Sequence, residues 1–147
     1  MTRIVTVGAA QMGPINREHS RSDVVARLVE LLRQGARAGC DLVVFPELAL
    51  TTFFPRWFVA DISEYDHYYE RSMPNAATQP LFDEAKRLGV GFCLGYAIID
   101  EAGHRWNVQS LVGKDGRIIG TFKKVHIPGH EHHEPDRPFQ HAERYYF

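Results

Sequence analysis

Two short apolar runs on either side of an amphipathic helix constrain the fold of this chain more than any other feature. Residues 4–10 (IVTVGAA) and 42–45 (LVVF) are continuous and rich in β-branched side chains, which predicts two buried strands. The segment between them has the spacing of a helix of about 17 residues. Because a strand–helix–strand unit places its two strands in parallel, the sequence predicts an α/β fold.

Residues that favour helix termini mark both ends of this helix. The side chain of Ser20 or Ser22 can accept a hydrogen bond from a free backbone N–H at the start of the helix, and Asp23 places a negative charge in the first turn. Gly39 is typical of a helix C-terminus. The apolar side chains with helical spacing, which we expect to face the core, are Val24, Leu28, Leu31 and Leu32.

The second half of the chain has a different pattern. Residues 80–88 have helical spacing and end at Gly89. The strands predicted after this helix are residues 90–99, 106–112 and 117–122. Short glycine-containing turns separate these strands, which favours an antiparallel meander. We therefore expect one domain over residues 1–147 with a mixed sheet.

Charge and composition exclude several classes of protein. The 147 residues include 17 basic and 18 acidic side chains, which argues against a broad basic surface for nucleic acid. Two cysteines do not form a disulfide framework. No apolar run approaches the roughly 20 residues that span a membrane, and no signal region precedes the first strand. We expect a cytoplasmic protein without membrane or nucleic-acid partners.

Two charged residues lie just beyond predicted strand ends, where open α/β sheets bind ligands. Glu47 follows the second strand, and between Phe45 and Leu48 its carboxylate can serve as a general base. Lys124 follows the last predicted strand, and its ammonium can stabilise a developing oxyanion. Position alone leaves an alternative open for each residue. Glu47 is then a glutamate in solvent or in a helix-capping salt bridge, and Lys124 is an ordinary surface lysine.

Histidines and cysteines are the other candidates for chemistry. Five histidines and three acidic residues crowd residues 126–141, a composition that can bind a metal. Their spacing fits no specific zinc pattern, so a solvated polar loop is the alternative. Cys40 and Cys93 lie in or beside apolar segments and are predicted to be small core side chains, not nucleophiles.

Three motifs in this order resemble those of the nitrilase superfamily of carbon–nitrogen hydrolases. They are Pro46-Glu47, the run from Asn107 to Gly116, and residues 122–127 (FKKVHI), in which Lys124 takes the lysine position. The resemblance implies an αββα sandwich, of which this chain holds about half. It also implies a Glu–Lys–Cys triad with Glu47 as the base and Lys124 as the cation.

Longer runs resemble one subfamily, the N-carbamoyl-D-amino-acid amidohydrolases. These runs are residues 45–57, 91–97 and 137–143. The resemblance implies that His130, His141 and Glu143 serve the site. It places the nucleophilic cysteine beyond Glu143, outside the 147 residues, so we expect the chain by itself to be inactive.

The implied reaction is hydrolysis of an N-carbamoyl-D-amino acid to the D-amino acid, ammonia and carbon dioxide, without metal or other cofactor. The implied partners are a small-molecule substrate and further copies of the chain. Three alternatives stay open: another amidase or a ureidopropionase of the same superfamily, a non-catalytic truncated chain, and a metal-binding domain built on the histidines.

Overall fold

The sheet of this protein contains five strands in the order in which they occur in the chain. The computed structural model describes residues 2–147. The strands are β1 (Val7–Ala9), β2 (Leu42–Val44), β3 (Gly91–Ile99), β4 (Arg105–Val112) and β5 (Ile118–Lys123). Strands β1, β2 and β3 are parallel, and β3, β4 and β5 are antiparallel. The predicted mixed α/β fold is therefore confirmed.

Two helices cover one face of this sheet. Helix α1 (Arg21–Arg37) connects β1 to β2, and helix α2 (Gln79–Leu88) precedes β3. Ser20 caps α1 in a capping box, since its side chain accepts from the Asp23 amide and its own amide donates to the Asp23 carboxylate. A capping box stabilises a helix by about 1 kcal/mol. The predicted start of α1 is confirmed.

Side chains alternate between the two faces of β3 and β4. Phe92, Leu94 and Tyr96 on β3 pack in the core with α1 and α2, together with Val108 on β4. Burying each large apolar side chain contributes about 1.5–3 kcal/mol. Because successive residues of a strand point to opposite faces, the odd-numbered residues of β3 point away from the helices.

The face away from the helices carries an aromatic cluster at one end. Two 3-10 helices, Phe54–Arg56 and Ile62–Tyr68, supply most of this cluster, and the short helix α3 (Glu143–Tyr146) completes it. Phe54 is fully buried and stacks on Tyr68 with ring centroids 5.0 Å apart. The cluster anchors the segments on both sides of the candidate site, because Phe54 follows Glu47 and α3 begins with Glu143.

The first strand differs from its prediction. A buried strand over residues 4–10 was expected, but β1 covers three residues and lies at the edge of the sheet. Ile4 is 86% exposed and Val7 is 54% exposed. The apolar run was correctly identified as a strand, but an edge position within residues 2–147 leaves one of its sides uncovered, which sequence pattern alone does not reveal.

Candidate active site

Glu47 lies in a tight turn between β2 and the aromatic cluster. Two backbone hydrogen bonds hold this turn against β3, from the Phe45 amide to the Cys93 carbonyl at 2.9 Å and from the Ala49 amide to the Gly95 carbonyl at 2.8 Å. Leu48 adopts a φ of 47°, a left-handed conformation that is rare for a branched residue. Such strain is found where surrounding structure overdetermines the backbone, often at functional sites.

Lys124 lies directly after β5 and reaches the Glu47 carboxylate. Its backbone amide donates to the Asn107 carbonyl at 2.9 Å, which continues the β4–β5 pairing by one residue. Its Nζ lies 2.6 Å from Oε1 of Glu47 and 2.7 Å from Oε2 of Glu143. The structure therefore brings together three of the residues predicted from the sequence.

The two carboxylates differ in their environment. The side chain of Glu143 is 3% exposed, whereas that of Glu47 is 46% exposed. Glu143 also accepts a hydrogen bond at 3.1 Å from Nε2 of His141, when that nitrogen carries a proton. Glu143 is therefore held by Lys124 and His141 together, and Glu47 is the carboxylate that solvent or a substrate can reach.

The charge on Lys124 is stabilised by its neighbours. Burial by itself disfavours the ammonium, but the hydrogen bonds to Glu143 and Glu47 outweigh this cost, so the pKa of Lys124 is raised above its ordinary value. Lys124 is therefore cationic at neutral pH. A fixed ammonium of this kind stabilises negative charge and is a poor nucleophile.

A cavity of about 160 Å³ opens beside this cluster on the face of the sheet away from the helices. The residues that line it are Glu47, Gly95, Asn107, Val108, Gln109, Phe122 and Lys124. It combines a carboxylate, an ammonium and two side-chain amides with apolar walls. That combination of convergent polar groups in a largely apolar pocket is typical of a small-molecule site.

His130 is placed differently from the other predicted site residues. Its backbone amide donates to the His141 carbonyl at 2.7 Å, but its ring faces Glu134, with Nε2 and Oε2 3.7 Å apart. Within residues 2–147, no hydrogen bond or ion pair joins this ring to Lys124 or Glu143. A role for His130 at the site stays a prediction.

The cysteines and, apart from His141, the histidines of residues 126–141 lie outside this cluster. Neither Cys40 nor Cys93 lines the cavity, and burial raises the pKa of the Cys93 thiol, which disfavours a thiolate there. Both cysteines are partly buried: Cys40 packs against the core as predicted, whereas Cys93 belongs to neither core cluster. Within residues 2–147, no three His, Cys, Asp or Glu side chains converge in a way that could hold a metal ion.

Sequence reasoning missed the contribution of two residues to this site. Asn107 is 4% exposed, and its Nδ2 donates to Oε1 of Glu47 at 2.7 Å. Gly95 permits the close approach of the Glu47 turn to β3. Asn107 could have been found from the sequence, because it begins one of the three family motifs. Its position beside Glu47 follows only from the register of the strands.

The family to which the chain belongs follows from a match over nearly all of its length. The carbon-nitrogen hydrolase family model matches residues 6–147. This protein therefore belongs to the carbon–nitrogen hydrolase family. Within residues 2–147, no helix combines the length and the apolar character that crossing a bilayer requires.

Several relatives are longer than this chain. The omega-amidase NIT2 of Homo sapiens is 25% identical over 107 residues, covering 73% of this chain and 36% of that protein. The omega-amidase NIT2 of Mus musculus is 28% identical over 111 residues, with the same coverage. A glutamine-dependent NAD(+) synthetase of Thermotoga maritima is 28% identical over 120 residues, or 80% of this chain and 19% of that protein.

Solved structures share the fold. A carbon-nitrogen hydrolase from Helicobacter pylori G27 has a TM-score of 0.68 and 21% identity, covering 97% of this chain and 44% of that chain. Nit3 of Saccharomyces cerevisiae has a TM-score of 0.66 and 16% identity, covering 83% and 44%. The chain thus spans less than half the length of these structures and forms one sheet and one helical layer of a nitrilase-like fold.

Proposed function

We propose that this chain supplies the general base and the oxyanion-stabilising cation of a carbon–nitrogen hydrolase that acts on N-carbamoyl-D-amino acids. The observation that carries the proposal is the position of one ammonium, that of Lys124, 2.6 Å and 2.7 Å from two carboxylates at the edge of a cavity. A fixed cation beside an accessible carboxylate matches what acyl transfer to a nucleophile requires.

From their exposure and contacts we infer a different role for each of the three charged groups. Glu47 is half-exposed at the cavity and is the base that takes a proton. Lys124 donates to the oxygen that becomes negative when the carbon is attacked. Glu143 is buried and touches Lys124 but does not line the cavity, so it holds the ammonium in place.

The attacking group in this proposal comes from a cysteine of a longer protein. Glu47 removes the thiol proton, the thiolate attacks the carbamoyl carbon, and the resulting tetrahedral oxyanion is stabilised by Lys124. The intermediate expels ammonia after proton transfer from Glu47, which leaves a thiocarbamate ester. Water then attacks this ester with Glu47 as base, and the released carbamate decomposes to the D-amino acid and carbon dioxide.

Two substrate classes are compatible with this site. Residues 45–57, 91–97 and 137–143 resemble the N-carbamoyl-D-amino-acid amidohydrolases and support the carbamoyl substrate. The names of the NIT2 relatives, omega-amidases, support an ω-amide substrate instead. The mechanism at the carbonyl carbon is the same, because both substrates lose ammonia from a C–N bond.

Product analysis distinguishes the two classes. The protein expressed from its complete reading frame is incubated with N-carbamoyl-D-phenylglycine, N-carbamoyl-β-alanine and succinamate. We expect ammonia and carbon dioxide in equal amounts from the first compound, and slower release from the others. Preference for N-carbamoyl-β-alanine, or for succinamate with ammonia alone, would contradict the proposed substrate.

Substitution of the charged pair tests the proposed roles. We expect Glu47→Gln and Lys124→Met each to lower kcat/KM by at least roughly 1,000-fold, as removal of a triad member does. Lys123→Met is the matched control, because the ammonium of Lys123 lies over the Trp106 ring and pairs with Asp100, not with Glu47 or Glu143. Circular dichroism of each variant verifies folding. Retention of activity in Lys124→Met would exclude the proposed mechanism.

A further inference from the structure

Asn107 contacts both members of the charged pair. Its side-chain Nδ2 donates to Oε1 of Glu47 at 2.7 Å, and its backbone carbonyl accepts from the Lys124 amide at 2.9 Å. The residue lies inside β4 and is 4% exposed, so its side chain is held by the sheet. One buried residue thereby fixes the spacing between a loop carboxylate and the lysine that follows the next strand.

The hydrogen bonds of the two carboxylates are distributed unequally. Oε1 of Glu47 accepts hydrogen bonds from both Nζ of Lys124 and Nδ2 of Asn107. Within residues 2–147, Oε2 of Glu47 has no hydrogen-bond partner, although the side chain is half-exposed at the cavity. In Glu143, by contrast, both oxygens are engaged, one by Lys124 and the other by His141.

We propose that Asn107 is a positioning residue that holds Oε1 of Glu47 against Lys124 and leaves Oε2 as the oxygen that accepts the proton. The role in proton transfer rests on the proposed function, whereas the hydrogen bond itself does not. Two donors occupy Oε1 and hold the carboxylate in one orientation, so Oε2 is the oxygen that stays free to take a proton. The reacting oxygen is thereby selected before substrate binds.

An amide suits this position because it donates without adding charge. The cluster of Glu47, Glu143 and Lys124 already contains two carboxylates and one ammonium. An aspartate of the same size would place a third carboxylate against Oε1 and repel it. The proposal therefore predicts an order of variants that differs from the order expected if Asn107 only fills space.

The first test compares Asn107→Ala with Asn107→Asp in steady-state kinetics. We expect Asn107→Ala to lower kcat by roughly 10- to 100-fold, the equivalent of one hydrogen bond to a charged group, with KM changed less than about threefold. Asn107→Asp should be the slower of the two at neutral pH. If Asn107 only filled space, the isosteric aspartate would be the faster variant, and that order would overturn the proposal.

The chain offers a matched control for this comparison. Asn75 also donates from Nδ2 to a glutamate, Glu70, at 2.6 Å, but neither residue lines the cavity. We expect Asn75→Ala to lower thermal stability without changing kcat or KM. In Asn107→Ala, by contrast, kcat should fall while KM changes little, since the base has lost the donor that orients it.

The second test does not depend on catalysis. In the 15N-labelled protein, one Nδ2 proton of Asn107 should resonate downfield and exchange slowly, because it bonds a carboxylate. Glu47→Ala should return both Nδ2 protons to the positions of a free carboxamide, and unchanged signals would overturn the proposal. If the protein hydrolyses none of the substrates, the proposed function fails, while this measurement still tests whether Asn107 holds Glu47 through its hydrogen bond.

Discussion

At the scale of single residues, Gly95 determines how closely the Glu47 turn approaches strand β3. A methyl group at Gly95 would lie 2.8 Å from the Pro46 carbonyl oxygen and 2.9 Å from Cα of Glu47. Both distances are shorter than normal contacts, and both neighbours are backbone atoms that cannot move without moving the turn. The position of Glu47, the proposed base, therefore depends on residue 95 having no side chain.

Substitution of Gly95 by alanine tests this dependence. We expect Gly95→Ala to destabilise the fold by about 1–3 kcal/mol, as other overpacked substitutions do. It should also lower kcat/KM by roughly 100-fold, because a displacement of about 1 Å misplaces Glu47. Urea unfolding and steady-state kinetics measure the two effects.

A second glycine provides the control. A methyl group at Gly120, on strand β5, meets nothing within 4 Å. Gly120→Ala should change stability by less than about 0.5 kcal/mol and leave kinetics unchanged. Equal effects at Gly95 and Gly120 would show that the close approach at Gly95 is unimportant.

The sequence predicted the charged residues of the site better than the residues that position them. Glu47, Lys124 and Glu143 belong to recognisable motifs, and the structure brings them into contact. The contact between Asn107 and Glu47 depends on the register of β4 relative to β3, where Asn107 pairs with Ala97. That register follows from the turn that joins β3 to β4 and from which face of each strand is buried, so the motif at Asn107 does not by itself show that Asn107 lies beside Glu47.

At the scale of secondary structure elements, a charged bridge joins the two helices. Glu84 on α2 is buried and binds Arg33 of α1 at 2.6 Å, and Arg87 of its own helix at 2.7 Å. The hydrogen bonds from Arg87 and Arg33 lower the pKa of Glu84 to about 2. Glu84 therefore stays ionised well below pH 4.5, and its ion pair with Arg33 links the two helices.

The stability of the helix pair should therefore depend on pH. Because the pKa of Glu84 is lower in the folded chain than its ordinary value of 4.5, the ionised form stabilises the fold above pH 4.5. This contribution is lost as the pH falls from about 4.5 towards about 2. We expect Glu84→Gln to cost about 1–3 kcal/mol at pH 7, and the difference from the unchanged protein to disappear near pH 2.

Glu30 provides the control for this measurement. It binds Arg37 at 2.8 Å within α1, but its side chain is 49% exposed and joins no second element. Urea unfolding of Glu30→Gln and Glu84→Gln from pH 7 to pH 2 compares the two pairs. A surface pair contributes little, so a loss in Glu30→Gln as large as that in Glu84→Gln would contradict the proposed bridge.

Most of the elements were predictable because their patterns are local. Helices α1 and α2 have caps and apolar spacing, and Gly89 ends α2 in a left-handed conformation as expected. The antiparallel β3–β4–β5 meander follows from its glycine-containing turns. The two 3-10 helices between Phe54 and Tyr68 were not predicted, because their aromatic side chains pack irregularly on β3 and α3 and follow no fixed period.

At the scale of the whole molecule, the five-stranded sheet has two edge strands. Within residues 2–147, no further strand pairs with the outer edge of either one. These strands are β1 and β5. They carry exposed apolar side chains, including Val7, Ile119 and Phe122, which are 54%, 69% and 62% exposed. Unpaired edges with apolar side chains are sites at which chains associate.

We therefore expect the 147-residue chain to associate with further copies of itself. Light scattering over a range of concentrations should give a mass that rises above that of one chain. Ile119→Lys should reduce this rise, because a lysine on an edge strand opposes strand pairing. Ala102→Lys adds the same charge in an exposed turn between β3 and β4 and should not reduce it. A constant monomeric mass at high concentration would contradict the prediction, and an equal effect of both lysines would assign association to net charge instead of the β5 edge.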